Sequence, residues 1–135
     1  MSPVLKPDFA DVLAAAARIA GHAHATPVLA SRALDEETGA RLQFKCEHLQ
    51  RIGAFKFRGA CNAVWSLDES TAARGVVTHS SGNHGAALAL AAQGRGIPCH
   101  VVVPEGAVKA KLTAIGHYGA ILHRCAPTIA AREAM

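Results

Sequence analysis

Short apolar segments alternate with alanine-rich segments along the second half of the chain, and this alternation constrains the fold more than any other feature. Residues 76–79 predict a short strand that runs into a Ser/Gly/Asn turn, followed by an alanine-rich helix closed by Gly94 and Gly96. The run CHVVVPEG predicts the next buried strand, which ends at Pro104. A helix in AVKAKLTAIGHYG, a strand in AILHRC and the start of a helix in APTIAAREAM come next. This order predicts an α/β fold: an open, mostly parallel sheet with flanking helices and right-handed crossovers.

The first half of the chain carries weaker patterns. Residues 7–23 have an aspartate-bearing start, an alanine-rich body and Gly21 as a stop, which predicts a helix. Residues 26–40 offer a short extended stretch and a turn-like acidic segment that ends at Gly39. Apolar and polar residues alternate over residues 41–49, which predicts a strand. The helical spacing after residue 56 predicts a further helix.

Composition narrows the class of protein. The 135 residues suffice for one ordinary hydrophobic core, and a chain that is half apolar and 18% charged is globular. The formal charge of +4 is spread over scattered Lys and Arg residues without interleaved aromatic residues, so it favours an anionic small molecule over nucleic acid. No apolar stretch is long enough to span a bilayer, and the start MSPVLKPDFADV lacks the pattern of a secretory leader.

Two sets of potential metal ligands or disulfide partners have simpler interpretations. Four cysteines, separated widely and without a C-x-x-C pair, indicate buried reduced thiols in a cytoplasmic protein; they are Cys46, Cys61, Cys99 and Cys125. His22 and His24 have no Cys, Asp or Glu neighbour in the sequence, so we expect no metal site there.

The segment SSGNHG, residues 80–85, lies between a predicted strand and a predicted helix, where open α/β sheets usually bind ligands. Backbone N–H groups at a helix start attract an anion, and Ser80, Ser81 and Asn83 add side-chain donors. One Ser or Asn in this position would be an ordinary helix cap. Two serines, an asparagine, a histidine and two glycines exceed what a cap requires, so the segment predicts an anion site.

Lys56 is unusual because it stands between Phe55 and Phe57, with small residues on both sides, at the predicted start of a helix. A lysine is ordinarily a solvated surface residue. If Phe55 packs on a flat apolar group, the ammonium group is drawn toward a desolvated pocket, which is the condition that a Schiff-base lysine needs. A lysine nucleophile beside an anion-binding loop suggests a carbonyl cofactor and an acidic substrate.

Three segments together carry a family resemblance: GAFKFRGACNAV, THSSGNHGAALALAA and GIPCHVVVPEGAVKAKLTAIGHYGA. They closely resemble, in this order and over nearly the whole chain, the serine racemase and serine/threonine dehydratase family of pyridoxal 5′-phosphate (PLP) enzymes. The resemblance implies the tryptophan-synthase-β-like architecture called fold type II. It also implies PLP as cofactor, a small amino acid as substrate, and a homo-oligomer for the full-length protein.

The resemblance assigns roles to individual residues. Lys56 matches the lysine that binds the cofactor covalently and moves protons on one face of the substrate, and Phe55 matches the residue that packs on the pyridine ring. Asn83 matches the asparagine that hydrogen-bonds the cofactor's 3′-oxygen. Ser81 matches the acid or base on the opposite face in the racemases. The substrate carboxylate is expected on Ser80, Ser81, Asn83 and His84.

The implied reaction is β-elimination: a hydroxy amino acid such as L-serine or L-threonine loses water, and water then hydrolyses the resulting enamine to a 2-oxo acid and ammonia. A serine racemase and a 3-hydroxyaspartate ammonia-lyase are alternatives on the same scaffold. A truncated, catalytically inactive remnant is an alternative of another class. A nucleotide-binding Rossmann domain is not supported, because no G-x-G-x-x-G follows a strand.

The chain departs from the family pattern in two respects. Many relatives have Thr-Gly-Ser before the Phe-Lys pair, whereas Ile52, Gly53 and Ala54 stand here, a Gly-Ala version that also occurs in the racemase and hydroxyaspartate-dehydratase branch. The family's glycine-rich phosphate loop has no counterpart, and the chain stops within a helix that has just begun. We therefore expect an N-terminal portion, with residues 1–52 starting the large domain and residues 53–135 forming a truncated small domain.

Overall fold

The computed structural model describes residues 6–135, and residues 1–5 lie outside the described residues. Two predictions begin in residues 1–5: the large-domain segment 1–52 and the N-terminal stretch without the pattern of a secretory leader. The helices are α1 (Phe9–Ile19), α2 (Arg32–Thr38), α3 (Lys56–Ser66), α4 (Glu69–Ala72), α5 (Asn83–Arg95), α6 (Lys109–His117) and α7 (Ile129–Glu133). The strands are β1 (Val28–Leu29), β2 (Phe44–Lys45), β3 (Val76–Thr78), β4 (Cys99–Pro104) and β5 (Ile121–Cys125).

The main sheet is parallel and has the order β3-β4-β5, with β4 in the centre. Val77 pairs with His100, and Val102 pairs with His123, which fixes the register on both sides of β4. Helices α5 and α6 connect the successive strands, as parallel pairing requires. The predicted α/β class is confirmed, and so are the predicted strands and helices after residue 55. Gly96, in the left-handed conformation at φ 71°, ends α5, whereas Gly94 lies inside the helix.

The hydrophobic core lies between α3, α5, α6 and one face of the sheet. Helix α5 is buried around most of its circumference because it lies between α3 and strands β3 and β4. Its alanines allow this close approach, while Val64 of α3 and Val101 and Val103 of β4 are fully buried against it. The alanine richness of residues 86–92 therefore reflects a helix packed on two sides.

The opposite face of the sheet is less covered. Helix α7 packs against β4, and Val102 is buried there. Val77 on the edge strand β3 remains 67% exposed. His100 Nδ1 and His123 Nε2 lie 2.9 Å apart on adjacent strands, and their rings tilt against each other.

The first half of the chain corrects two predictions. The acidic segment predicted as a turn forms α2, with Ser31 as its N-cap and Gly39 in the left-handed conformation at its end. The strand predicted over residues 41–49 is reduced to Phe44–Lys45, which pair antiparallel with β1 and are followed by a 3₁₀ turn at Glu47–Leu49. The side chain of Glu47 in this turn, and that of Gln50 directly after it, bind other segments of the chain, so the extended backbone is not continued.

Two further predictions concern the N-terminal helix and the cysteines. Helix α1 begins after Asp8, whose side chain accepts a hydrogen bond from Asp11 N while the Asp11 carboxylate accepts one from Asp8 N. All four cysteines are buried, and within residues 6–135 none forms a disulfide, which confirms the prediction of buried thiols.

Candidate active site

The loop between β3 and α5 leaves the start of α5 without a side-chain cap. The N-cap residue is Gly82, and within the described residues no side chain caps the helix there. Ser80 Oγ accepts only a long bond of 3.4 Å from Gly82 N. The serines are thus not used to cap the helix, and the first-turn N–H groups of α5 stay available to an anion.

Gly85 allows this loop to fold tightly against the helix. A Cβ atom at this position would lie 2.1 Å from the backbone oxygen of Ser80 and 3.2 Å from Cδ1 of Ile115. No side chain fits into that space, so glycine is required for the close approach of the loop to α5. Ser80 and Ser81 are half-buried, while Asn83 and His84 are exposed in the first turn.

Lys56 is the first residue of α3, as its position in the sequence predicted. The structure does not enclose it, however: Lys56 and Phe55 are both exposed, and Lys56 Nζ lies 4.8 Å from the centroid of the Phe55 ring. The expected desolvated pocket around the lysine is therefore not formed by residues 6–135, because Phe55 turns outward while Phe57 is the ring that enters the core.

The turn before Lys56 connects it with the 80–83 loop. Ile52 adopts φ 58° and ψ 8°, a left-handed conformation that is rare for a β-branched residue, and Gly53 follows at φ 69°. Ile52 also lines a small cavity of about 110 Å³ together with Gly82 and Asn83. The structure thus places the turn before Lys56 next to the start of α5. Among the described residues, however, no hydrogen bond joins Lys56 to the 80–83 loop.

An ion pair two residues beyond Lys56 ties α3 to the preceding segments. Arg58 donates from Nε and Nη2 to the two oxygens of Glu47, at 2.8 and 2.7 Å. Arg58 Nη2 also lies 3.1 Å from His24 O and 3.2 Å from Thr26 Oγ1. Sequence reasoning assigned no role to Arg58, because neither spacing nor periodicity marks Glu47 as its partner.

This arrangement changes the acidity of both groups. The hydrogen bonds from Arg58, together with one from Thr26, lower the pKa of Glu47 from 4.5 to about 2, against the opposing effect of burial. The same bond to Glu47 raises the pKa of Arg58 above its ordinary value. The pair is therefore ionised over the whole physiological range of pH.

Neither a group of metal ligands nor a membrane-spanning helix is found within the part of the chain that the structure describes. No group of three or more His, Cys, Asp and Glu side chains there could hold a metal ion. His22 instead packs at 4.2 Å on the ring of Trp65, and the backbone of His24 bonds to the Gln50 side chain. None of the helices among residues 6–135 is both long and apolar enough to cross a bilayer.

Comparison with known proteins identifies the group to which this architecture belongs. The chain is 50% identical to the serine racemase of Dictyostelium discoideum over 133 residues, which cover 98% of this chain and 41% of the relative. The solved structure of that racemase superposes with a TM-score of 0.89, at 52% identity over 93% of this chain and 41% of the racemase.

Two further relatives are named for reactions other than racemisation. The β-hydroxyaspartate dehydratase of Paracoccus denitrificans is 51% identical over 127 residues, 94% of this chain and 40% of the dehydratase. The solved threonine deaminase of T.th. superposes with a TM-score of 0.82, at 41% identity over 95% of this chain and 40% of the deaminase. These superpositions confirm the fold type II architecture that the sequence motifs implied.

The chain spans about 40% of the length of these relatives. The family model described as "Pyridoxal-phosphate dependent enzyme" matches residues 19–135, which include α3, the main sheet and the loop before α5. This chain belongs to the family of pyridoxal-phosphate dependent enzymes.

Proposed function

We propose that this chain provides the lysine and the carboxylate-binding loop of a PLP-dependent ammonia-lyase, which converts a hydroxy amino acid such as L-serine or L-threonine into a 2-oxo acid and ammonia. The observation that carries the proposal is the helix start at Asn83, which has serine hydroxyls beside it and no side-chain cap. The turn that leads to Lys56 borders the same cavity as this helix start.

The residues present fit one end of PLP. A primary amine that is exposed at the start of a helix can react with the cofactor's aldehyde, and Lys56 provides it. Phe55 is exposed beside it as an apolar ring, and Asn83 presents an exposed amide at the helix start. We propose that these three residues hold the cofactor. When bound, PLP withdraws electrons from the substrate and makes its α-proton acidic.

The chain's own side chains would then bind the substrate and move its protons. Ser80, Ser81, Asn83 and His84 would donate hydrogen bonds to the substrate carboxylate, helped by the positive end of the α5 dipole. The Lys56 amine would accept the α-proton.

A racemase is a second candidate, supported by the 50% sequence identity to the D. discoideum serine racemase. In that reaction Ser81 would donate or accept the proton on the opposite face of the substrate. The similarity to the P. denitrificans dehydratase supports 3-hydroxyaspartate as a further substrate. All three reactions begin with removal of the same proton, so the proposed residues serve each of them.

The proposal extends to the organisation and setting of the protein. We infer a small-molecule amino-acid substrate, no nucleic-acid or membrane partner, and a homo-oligomer for the full-length protein, the last supported by exposed apolar side chains such as Val28, Leu29 and Phe44. Four buried thiols support a cytoplasmic location. We also propose a boundary between a large-domain segment, residues 1–52, and a small-domain segment, residues 53–135. It is supported by the β1–β2 pair, which is separate from the main sheet.

The test is trapping of the cofactor on the chain. The purified protein is mixed with PLP, its visible absorption is recorded, the adduct is reduced with borohydride, and peptides are mapped. We expect a yellow species and a label concentrated on Lys56, absent from Lys56→Ala. Lys109→Ala is the matched control, because Lys109 also begins a helix without a side-chain cap. It should retain the colour and the Lys56 label.

Each result has a distinct meaning. If label at Lys56 is accompanied by 2-oxo acid formation from serine, threonine or 3-hydroxyaspartate, the lyase is supported and its substrate is identified. Equal labelling of Lys56, Lys109 and Lys111 would contradict the proposal and support an inactive remnant.

A further inference from the structure

The start of α3 lacks the local contacts that usually fix a helix terminus. Its N-cap residue, Phe55, makes no side-chain capping bond within the described residues. The backbone bonds of this turn, from Phe57 N to Ala54 O and from Arg58 N to Phe55 O, measure 3.3 and 3.1 Å. A helix end without a cap frays readily, because its terminal groups have no partner inside the helix. Contacts from elsewhere must therefore fix the position of Lys56.

Arg58 makes such contacts from the first turn of the helix. Its guanidinium group binds both carboxylate oxygens of Glu47, the fork-to-fork geometry that gives the strongest and most directional ion pairs. The side chains of Arg58 and Glu47 are only 31% and 20% exposed, so solvent screens the pair less than a surface pair.

Glu47 is itself held in place. Thr26, which is 6% exposed, donates from Oγ1 to Glu47 Oε1 at 2.6 Å. Lys45 Nζ donates to Thr26 O, also at 2.6 Å. The ion pair consequently joins three separate pieces of backbone, and we name this set of Thr26, Glu47 and Arg58 the α3 clamp.

The strained turn that precedes Lys56 is held by a second bridge. The Gln50 side chain, 3% exposed, accepts from His24 N and donates to His24 O, both at 2.9 Å, and it also accepts from Arg51 N at 3.0 Å. The left-handed Ile52 follows directly. A strained β-branched residue persists only where its surroundings determine its conformation, and such residues cluster at functional sites.

We propose that Glu47 and Arg58 are positioning residues, which fix the first turn of α3 and thereby present the Lys56 amine next to the start of α5. This inference rests on the proposed function of Lys56. In this proposal the α3 clamp acts on Lys56 through the backbone of residues 56–58. Arg58→Lys would keep the charge and lose the two-pronged bond.

The test compares local order with cofactor labelling in the same variants. Glu47→Gln and Arg58→Lys break the two-pronged bond, and Thr26→Val is a milder change that removes one hydroxyl and keeps the shape. Glu69→Gln is the matched control, because it breaks the Arg95–Glu69 pair of 2.8 Å outside the α3 clamp. Amide hydrogen exchange is measured on peptides from residues 54–60 and, as an internal reference, residues 86–95.

We expect exchange in residues 54–60 to rise about tenfold relative to residues 86–95 in Glu47→Gln and Arg58→Lys, since each loses hydrogen bonds to a charged group. Thr26→Val should give a smaller rise, and Glu69→Gln none. The share of borohydride-trapped PLP on Lys56, measured against Lys109, should fall in the same order. A role limited to overall stability would raise exchange in both peptides equally and leave the labelling share unchanged.

The two proposals fail in different ways. If the unmodified chain places no label on Lys56, the proposed function is wrong, while the exchange comparison still decides whether the α3 clamp orders the first turn. If labelling is specific to Lys56 but neither exchange nor labelling changes in Glu47→Gln and Arg58→Lys, the positioning role is wrong. If Glu47→Gln and Arg58→Lys do not fold, Thr26→Val decides, because it keeps the charges of the ion pair. Unchanged hydrogen exchange in residues 54–60 and unchanged labelling of Lys56 in this variant would overturn the inference.

Discussion

Replacement of Gly85 by alanine should destabilise the chain and displace the 80–82 loop. The added Cβ would lie 2.1 Å from Ser80 O, a backbone atom that cannot rotate away as a side chain would. Overpacking of this kind costs about 1–3 kcal/mol, which exceeds the gain of up to ~1 kcal/mol that alanine brings to a helix. We expect the midpoint of urea unfolding, followed by circular dichroism, to fall accordingly, with PLP labelling of Lys56 reduced.

Gly59→Ala and Gly116→Ala are the controls for this substitution. Both residues lie inside helices, α3 and α6, and a new Cβ at either position meets nothing within 4 Å. They should be neutral or stabilise the chain by up to ~1 kcal/mol through helix propensity. An unfolding midpoint for Gly85→Ala at or above that of the unmodified chain would refute the packing of the loop against α5.

Two other predictions concern pH and exposed apolar surface. Because the pKa of Glu47 is about 2 when folded and 4.5 ordinarily, its ion pair should stabilise the chain above about pH 4.5 and lose this contribution as the pH falls toward 2. In Glu47→Gln the midpoint of urea unfolding should therefore depend less on pH in this range, and the smaller slope from Asp68, whose pKa is also lowered to about 2, should remain. An unchanged slope in Glu47→Gln would contradict the assignment. Val77 and Ile121 on the edge strands are 67% and 53% exposed, so the chain should bind a hydrophobic dye and melt broadly. Val77→Thr should lower the dye fluorescence, whereas a sharp melt without dye binding would refute this prediction.

The sequence alone was sufficient for the main sheet and its helices. The run from Val76 to Cys125 alternates short apolar strands with helices at a spacing that admits little besides parallel pairing, and these elements occur as predicted. Local patterns succeed here because the burial of a strand or helix face depends on residues that are close in sequence. The same applies to Lys56, whose place at a helix start followed from the residues around it.

Local patterns failed where side chains bind distant segments of the chain. Residues 41–49 alternate like a strand, but Glu47 and Gln50 are engaged with Arg58 and His24, so the chain turns after Lys45. A single strand period cannot reveal partners that lie 11 to 26 residues away. The outward position of Phe55 and the exposure of Lys56 depend in the same way on which side of α3 meets the core.

The sequence by itself determined the α/β order and the place of Lys56 at the start of a helix, and it predicted an anion site at residues 80–85. Only the tertiary structure decided that the serines leave α5 uncapped and that Gly85 brings the loop onto the helix. It also decided that Arg58 joins Glu47 to Thr26, from segments up to 32 residues apart. The physical reason is that secondary structure follows from the local periodicity of burial, whereas hydrogen-bond partners are selected by the packing of the whole chain.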